Sequence, residues 1–302
     1  MDPALRDYLS AFRGRTIHYV PNPGNAGDSV MASAIYQAFE ACGLDVATVN
    51  PSRFDPRGKT VMYGGGGNLY EPGRYSHRVL KAIHRDCAHL TILPHTIKDV
   101  DDLLGELGPN VTAICRERPS FAYVSGFAGR RYDALLMHDL AFSLDVGRVM
   151  AGGRYNTLEG VLRWVAKRVL PDRVVAPSLE NVRRALRPPA VPAEVAARRG
   201  GAVDVFRTDG ESRGAPLPPG NVDASLVFMY GVAPRAVADH STRSLMGFLD
   251  RFDTIRTDRL HVGISAALLG KRVELHANNY YKIRAIHEFS LADRYPNVVW
   301  MR

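Results

Sequence analysis

The chain has 302 residues, long enough for two domains of ordinary size with a core that needs no staples. Its residues are 46% hydrophobic and 23% charged, which excludes a disordered chain, and the three cysteines, Cys42, Cys87 and Cys115, form neither a disulfide framework nor a metal-ligand spacing. The net charge of +8 favours an anionic partner. No run nears the roughly 20 apolar residues of a membrane span, the first residues lack the apolar stretch of a signal peptide, and no nucleic-acid-binding pattern is present. These features predict a soluble, cytoplasmic protein without a metal or cofactor and with no nucleic-acid partner. Its basic surface would be compatible with peripheral association at the inner membrane.

In chain order, Thr16–Val20 reads as a strand that runs into Pro21-Asn22-Pro23-Gly24-Asn25-Ala26-Gly27-Asp28, after which Val30, Ala34, Ile35, Ala38 and Phe39 mark a helix. The loop from Gly24 to Asp28 thus lies at a strand-to-helix junction, where free backbone N–H groups suit an anion. It lacks GxGxxG, and acidic Asp28 would repel a phosphate placed directly on it, so a hydroxyl-bearing ligand is as good a reading for Asn25 and Asp28. Asp28 could equally be a favourable charge at the positive helix end. Leu44–Val49 and Thr60–Tyr63 are the next strands, the latter ending in Gly64-Gly65-Gly66-Gly67-Asn68. Four glycines at a strand end would let a ligand lie against bare backbone at Gly66, Gly67 and Asn68; a flexible turn is the plainer alternative.

The pattern repeats in Leu90–Thr96, where Pro94 should stop the strand and leave His95 at its tip, and in Val111–Cys115, which ends at Arg116. Ala134–Met137, followed by His138-Asp139, closes the series. Parallel strands would then set the glycines, His95, Arg116 and Asp139 along one rim, the place where open α/β sheets bind ligands.

From Val146 to Pro192 the chain becomes rich in arginine and proline, with Leu162, Val165, Val169 and Leu170 on one helical stripe, and residues 146–200 read as a connecting hinge. Asp204–Gly210 and Ser225–Phe228 are expected to open a second sheet, with a helix over Ser241–Leu249 and a strand at Phe252–Arg256. Thr257 would cap a helix whose buried face is Leu260, Ile264 and Leu268 and whose stop is Gly270; Arg272–Leu275 follows as a strand. His261 falls in the first turn of that helix, at the crevice end, beside Arg259. A lone histidine there is more often a surface or capping residue.

Taken together, GNAGDSVMASAIYQAF, VMYGGGGNLYE, ILPHT, ICRERPSF, HDLAFSL, FRTDGE and TDRLHVGISAALLGKRVEL with NNYYKIRAIHEF resemble the polysaccharide pyruvyl transferase family, over roughly Tyr19 to Phe289. The resemblance implies two Rossmann-like domains of GT-B-like architecture with parallel sheets and an interdomain cleft. The domains would be 1–145 and 201–302, joined by 146–200, the last helix packing back on the first domain. It also implies an activity: transfer of pyruvyl from phosphoenolpyruvate to hydroxyls of a saccharide acceptor, often lipid-linked, commonly as a cyclic ketal. On the matching positions, Arg116 of an R-E-x-x-S motif, with Glu117 and Ser120, would bind the donor, His261 of R-L-H would be catalytic, and Lys282 would be a second donor cation, with Arg259 beside His261 also expected to bind the donor. Tyr281 stands where the family often has a small residue. A nucleotide-sugar glycosyltransferase and a non-catalytic sugar-phosphate binder of the same fold remain as alternatives.

Overall fold

The computed structural model describes residues 1–129, 131–152, 157–169 and 178–301. Two parallel sheets carry the α/β fold. The first takes β1 (Thr16–Val20), β2 (Asp45–Thr48), β3 (Thr60–Tyr63), β4 (Gly66–Leu69), β5 (His89–Ile97), β6 (Val111–Cys115) and β7 (Asp133–Leu136), in the order β2-β1-β3-β5-β6-β7 with β4 also on β5. The second takes β8 (Ala202–Asp204), β9 (Thr254–Thr257), β10 (Arg272–Leu275) and β11 (Val298–Trp300), in the order β11-β10-β9-β8. Every pairing among them is parallel, so the carboxyl ends of each sheet share one edge.

The helix Ala26–Ala41 ties the two sheets together. Met31, Ile35 and Phe39 belong to the core under the first sheet, whereas Ala26, Val30 and Ala34, one helical face away, belong to the core under the second. Its small residues let the helix Arg235–Leu249 approach closely, with Ser33 Oγ 3.0 Å from Thr242 Oγ1, and Ser29 Oγ donates to the carbonyl of Gly231, before that helix, at 3.0 Å. The halves therefore do not keep separate cores, and a wide hinge opening would expose an apolar helix face to water. The segment His287–Leu291 also reaches back: His138 stacks on Phe289 at 4.7 Å and its Nδ1 lies 2.8 Å from Ser290 Oγ.

Four local expectations change. β5 runs through Pro94 instead of stopping there, because the ladder to β6 shifts register between Ile92 and His95, where a missing N–H costs nothing. Ser225–Phe228 is not a strand; Ala224–Val227 is a short helix, and a four-residue apolar run cannot distinguish the two. The strand expected over Asp204–Gly210 is confined to Ala202–Asp204, and the chain then leaves the sheet toward the carboxyl edge, with Arg207 N held by Asp258 Oδ1 at 2.8 Å. Thr257 ends β9 and the cap position belongs to Arg259, although Thr257 Oγ1 still accepts from the Arg259 N–H at 3.0 Å.

The connecting region 146–200 falls partly outside the described residues, at 153–156 and 170–177, and Leu170 of its stripe lies there too. Within the described part, the helix Thr157–Val169 exposes Leu162 and Val165 rather than burying them. Among the described residues no helix is long and apolar enough to cross a membrane.

Candidate functional site

The carboxyl edges of the two sheets face a common cavity of about 200 Å³, lined from the first sheet by Pro23, Gly24, Asn25, Asp28, Gly67, Asn68 and Arg116. The second half contributes Arg207, Asp209, Glu211, Ser225, Arg259, Leu260, His261 and Lys282.

Arg116 leaves the end of β6 and is 1% exposed, so its charge requires fixed partners. Its Nε donates to Thr96 Oγ1 at 2.9 Å, and Thr96 in turn donates to Glu117 Oε2 at 3.2 Å. Ser120 donates to the other Glu117 oxygen and accepts from the Ile97 N–H at 2.8 Å. The R-E-x-x-S spacing is thus one hydrogen-bonded chain that fixes the guanidinium plane. Nη1 donates to Asp139 Oδ2 at 2.7 Å. Nη2 lies against Gly67, where a Cβ would collide with it and would also come within 3.3 Å of Lys282 Nζ. The glycine is required by this close approach of two cations.

Lys282 opens the helix Lys282–Ile286 after β10 and is 7% exposed. Its Nζ donates to Glu211 Oε2 at 2.8 Å and sits 4.9 Å over the Tyr280 ring, beside the Tyr281 that departs from the family pattern. Burial, with help from Arg116 and against Glu211, pushes its pKa down to about 8. Cations from the two sheets therefore converge on one side of the cavity.

His261 is the second residue of the helix Leu260–Leu268, against Gly27 at the start of the helix Ala26–Ala41, where a Cβ would stand 2.9 Å from the His261 Cβ. Its Nε2 lies 3.3 Å from Arg116 Nη1 and 3.4 Å from Asp139 Oδ2. One neighbour is a donor and the other an acceptor, so the same nitrogen is supported with its proton and without it. Burial opposes the charge on Asp139, but Arg116 and His261 overcome it and hold the carboxyl down at about 2. Asp139 also accepts from the Ala141 N–H at 2.8 Å. It stands behind the cavity wall as a positioning residue, not as the rim residue expected.

Two other expected site residues, His95 and Gly66, do not line the cavity. His95 is fully buried behind Asn68, with Nε2 3.1 Å from Asn68 Oδ1, and burial followed by the Arg116 charge pushes its pKa down to about 3. It stays neutral and does not line the cavity. Gly66 packs against Asn22, and Gly64 and Gly65 against Asn22 and Pro94, so most of the glycine run serves close packing at the start of β4 and only Gly67 and Asn68 reach the cavity. Asn25 and Asp28 line it but cap their own helix: Asn25 Oδ1 accepts from Gly27 N and Asp28 Oδ2 from Asn25 N, both at 2.8 Å. Burial raises the pKa of Asp28, opposed chiefly by His261.

Arg259 is 4% exposed and committed to two carboxylates, Asp209 at 2.9 Å and Asp223, while its Nε has no protein partner. Sequence reading missed Arg207, Asp209 and Glu211. Arg207 bridges the other two, to Asp209 Oδ1 at 2.7 Å and Glu211 Oε2 at 2.6 Å, and Glu211 passes the link on to Lys282. The signal was available in the alternating Arg-x-Asp-x-Glu of FRTDGE, which brings like-facing charged side chains off the end of β8. Four cations, Arg116, Arg207, Arg259 and Lys282, thus line a small cavity together with the carboxylates Asp28, Asp209 and Glu211 and beside His261, an arrangement with cationic donors for an anion and a candidate group for proton transfer.

No family model and no curated protein matches the chain. Among solved structures it is similar to the crystal structure of a functionally uncharacterised protein from Klebsiella pneumoniae subsp. pneumoniae, at 26% identity over 100% of both chains with a TM-score of 0.74. The shared fold extends over the whole length.

Proposed function

We propose that the protein transfers pyruvyl from phosphoenolpyruvate to a saccharide acceptor, as the family resemblance implies, in a GT-B-like arrangement of the two sheets and in the cytoplasm. The observation that carries this reading is the convergence of Arg116 and Lys282 at Gly67, next to a histidine poised between Arg116 and Asp139. Phosphoenolpyruvate presents a carboxylate and a phosphate on three carbons. A fixed guanidinium and an ammonium match its two anionic groups.

In this reading protonated His261, its charge stabilised by Asp139 and by the donor, delivers a proton to the methylene carbon. An acceptor hydroxyl adds to the adjacent carbon, forming the first C–O bond, and phosphate leaves with the electrons of the donor's C–O bond. A second hydroxyl then closes the cyclic ketal. Of the two hydroxyl protons released, one restores His261 and the other leaves on phosphate. The test is product analysis with purified protein and lipid-linked saccharides. Inorganic phosphate released only with phosphoenolpyruvate and an acceptor, with the matching mass gain on the saccharide, supports the proposal. Release of a nucleoside diphosphate from a nucleotide sugar replaces it with glycosyl transfer, and binding without turnover replaces it with a sugar-phosphate binder.

A further inference from the structure

The excess positive charge of the chain is concentrated. Residues 146–200 hold 11 Lys and Arg against 4 Asp and Glu, a net +7, which leaves +1 of the total +8 for the remaining residues. The exposed apolar side chains gather in the same region. Of the seven large apolar side chains exposed among the described residues, five lie here: Leu158, Leu162, Val165, Leu179 and Leu186.

The helix Thr157–Val169 leaves an apolar stripe in water. Leu158, Leu162 and Val165 recur at i, i+4 and i+7, the spacing of a core-facing stripe, yet they are 64%, 60% and 48% exposed, while Gly160 on the opposite side is buried. This helix packs on Leu179–Ala185, where Leu179, Arg183 and the following Leu186 and Arg187 are also exposed. The stripe belongs to the core under neither sheet.

We propose that this surface docks on an anionic lipid bilayer, with Leu158, Leu162 and Val165 seated at the headgroup boundary and the exposed Arg183 and Arg187 on acidic headgroups. An outward apolar stripe within a basic segment is the pattern of an interfacial helix. A second copy of the chain is a poorer occupant, because a two-fold contact would bring two +7 regions together. The inference is independent of the chemistry in the cavity and would stand if pyruvyl transfer failed.

The experiment is co-sedimentation of the full chain with vesicles of phosphatidylcholine alone or with about one-third phosphatidylglycerol. Binding is expected only with phosphatidylglycerol and should fall in high salt. Each arginine near such a surface contributes about fivefold, so Arg183→Gln and Arg187→Gln together should weaken binding by about 25-fold. Leu158→Gln with Leu162→Gln should weaken it while leaving the circular dichroism spectrum and thermal unfolding unchanged, as both side chains are already mostly in water. Equal binding to the two vesicle types, or undiminished binding by the leucine variant, would overturn the proposal. So would a dimer in sedimentation analysis that the same two leucine changes convert to monomer, since a second copy would then own the stripe.

Discussion

Replacing His261 by Gln separates proton delivery from architecture. The His261 Nε2 stands 3.3 Å from the Arg116 guanidinium and 3.4 Å from the Asp139 carboxylate, and a glutamine amide can accept from the first and donate to the second. The cost to folding should therefore stay within about 1 kcal/mol, the scale of one altered hydrogen bond. Glutamine cannot carry a transferable proton, so general-acid assistance worth about 10²–10⁴-fold is lost, equivalent to roughly 2.7–5.5 kcal/mol of barrier. Single-turnover phosphate release from phosphoenolpyruvate should slow by that factor, while calorimetric donor affinity changes far less because Arg116 and Lys282 remain. A variant with normal turnover and weakened donor binding would refute the reasoning and make His261 a binding residue. The acid would then have to be Lys282, with its pKa near 8, because His95 at about 3 has no proton to give.

Arg116→Ala removes a charge-assisted donor contact worth about 1.5–3 kcal/mol, so calorimetry should show phosphoenolpyruvate affinity reduced by roughly one to two powers of ten. It also leaves Asp139 buried without its main partner, and thermal unfolding should show a loss of about 3–5 kcal/mol. Gly67→Ala places a Cβ against Arg116 Nη2 and near Lys282 Nζ on a strand backbone that accepts alanine, so donor affinity should drop at least about tenfold with folding retained; unchanged affinity would take Gly67 out of the cavity wall. Asp139 is held near 2 against an ordinary 3.8, so its ionisation contributes about 2 kcal/mol that is fully present above pH 4 and lost as pH falls through about 2. Asp139→Asn should abolish that part of the acid-unfolding curve. Lys282 titrates in the opposite sense for binding: as pH rises through about 8 its charge is lost, and affinity for the donor should fall, more gradually once the donor's own charge favours the ammonium.

The sequence by itself determined the parallel α/β class, most of the strand positions, and the placement of Arg116, His261 and Lys282 at carboxyl strand ends. Each depends on short-range periodicity and on the rule that such ends face ligands. Composition also disclosed the basic segment, since charge is countable without a fold. Which way the stripe of Leu162 and Val165 points was not countable, because a helical period is the same whether its apolar face meets a core or a solvent. The tertiary structure alone decided that His95, identical in local pattern to the end of a ligand-binding strand, is sealed behind Asn68, and that Gly67 yields space to two cations while Gly64, Gly65 and Gly66 yield it to Asn22 and Pro94. It also decided that one helix, Ala26–Ala41, serves two cores. These outcomes depend on which atoms from distant parts of the chain arrive at the same place, and spacing along a sequence fixes which side chains share a face of an element but neither the burial of that face nor the neighbour it meets.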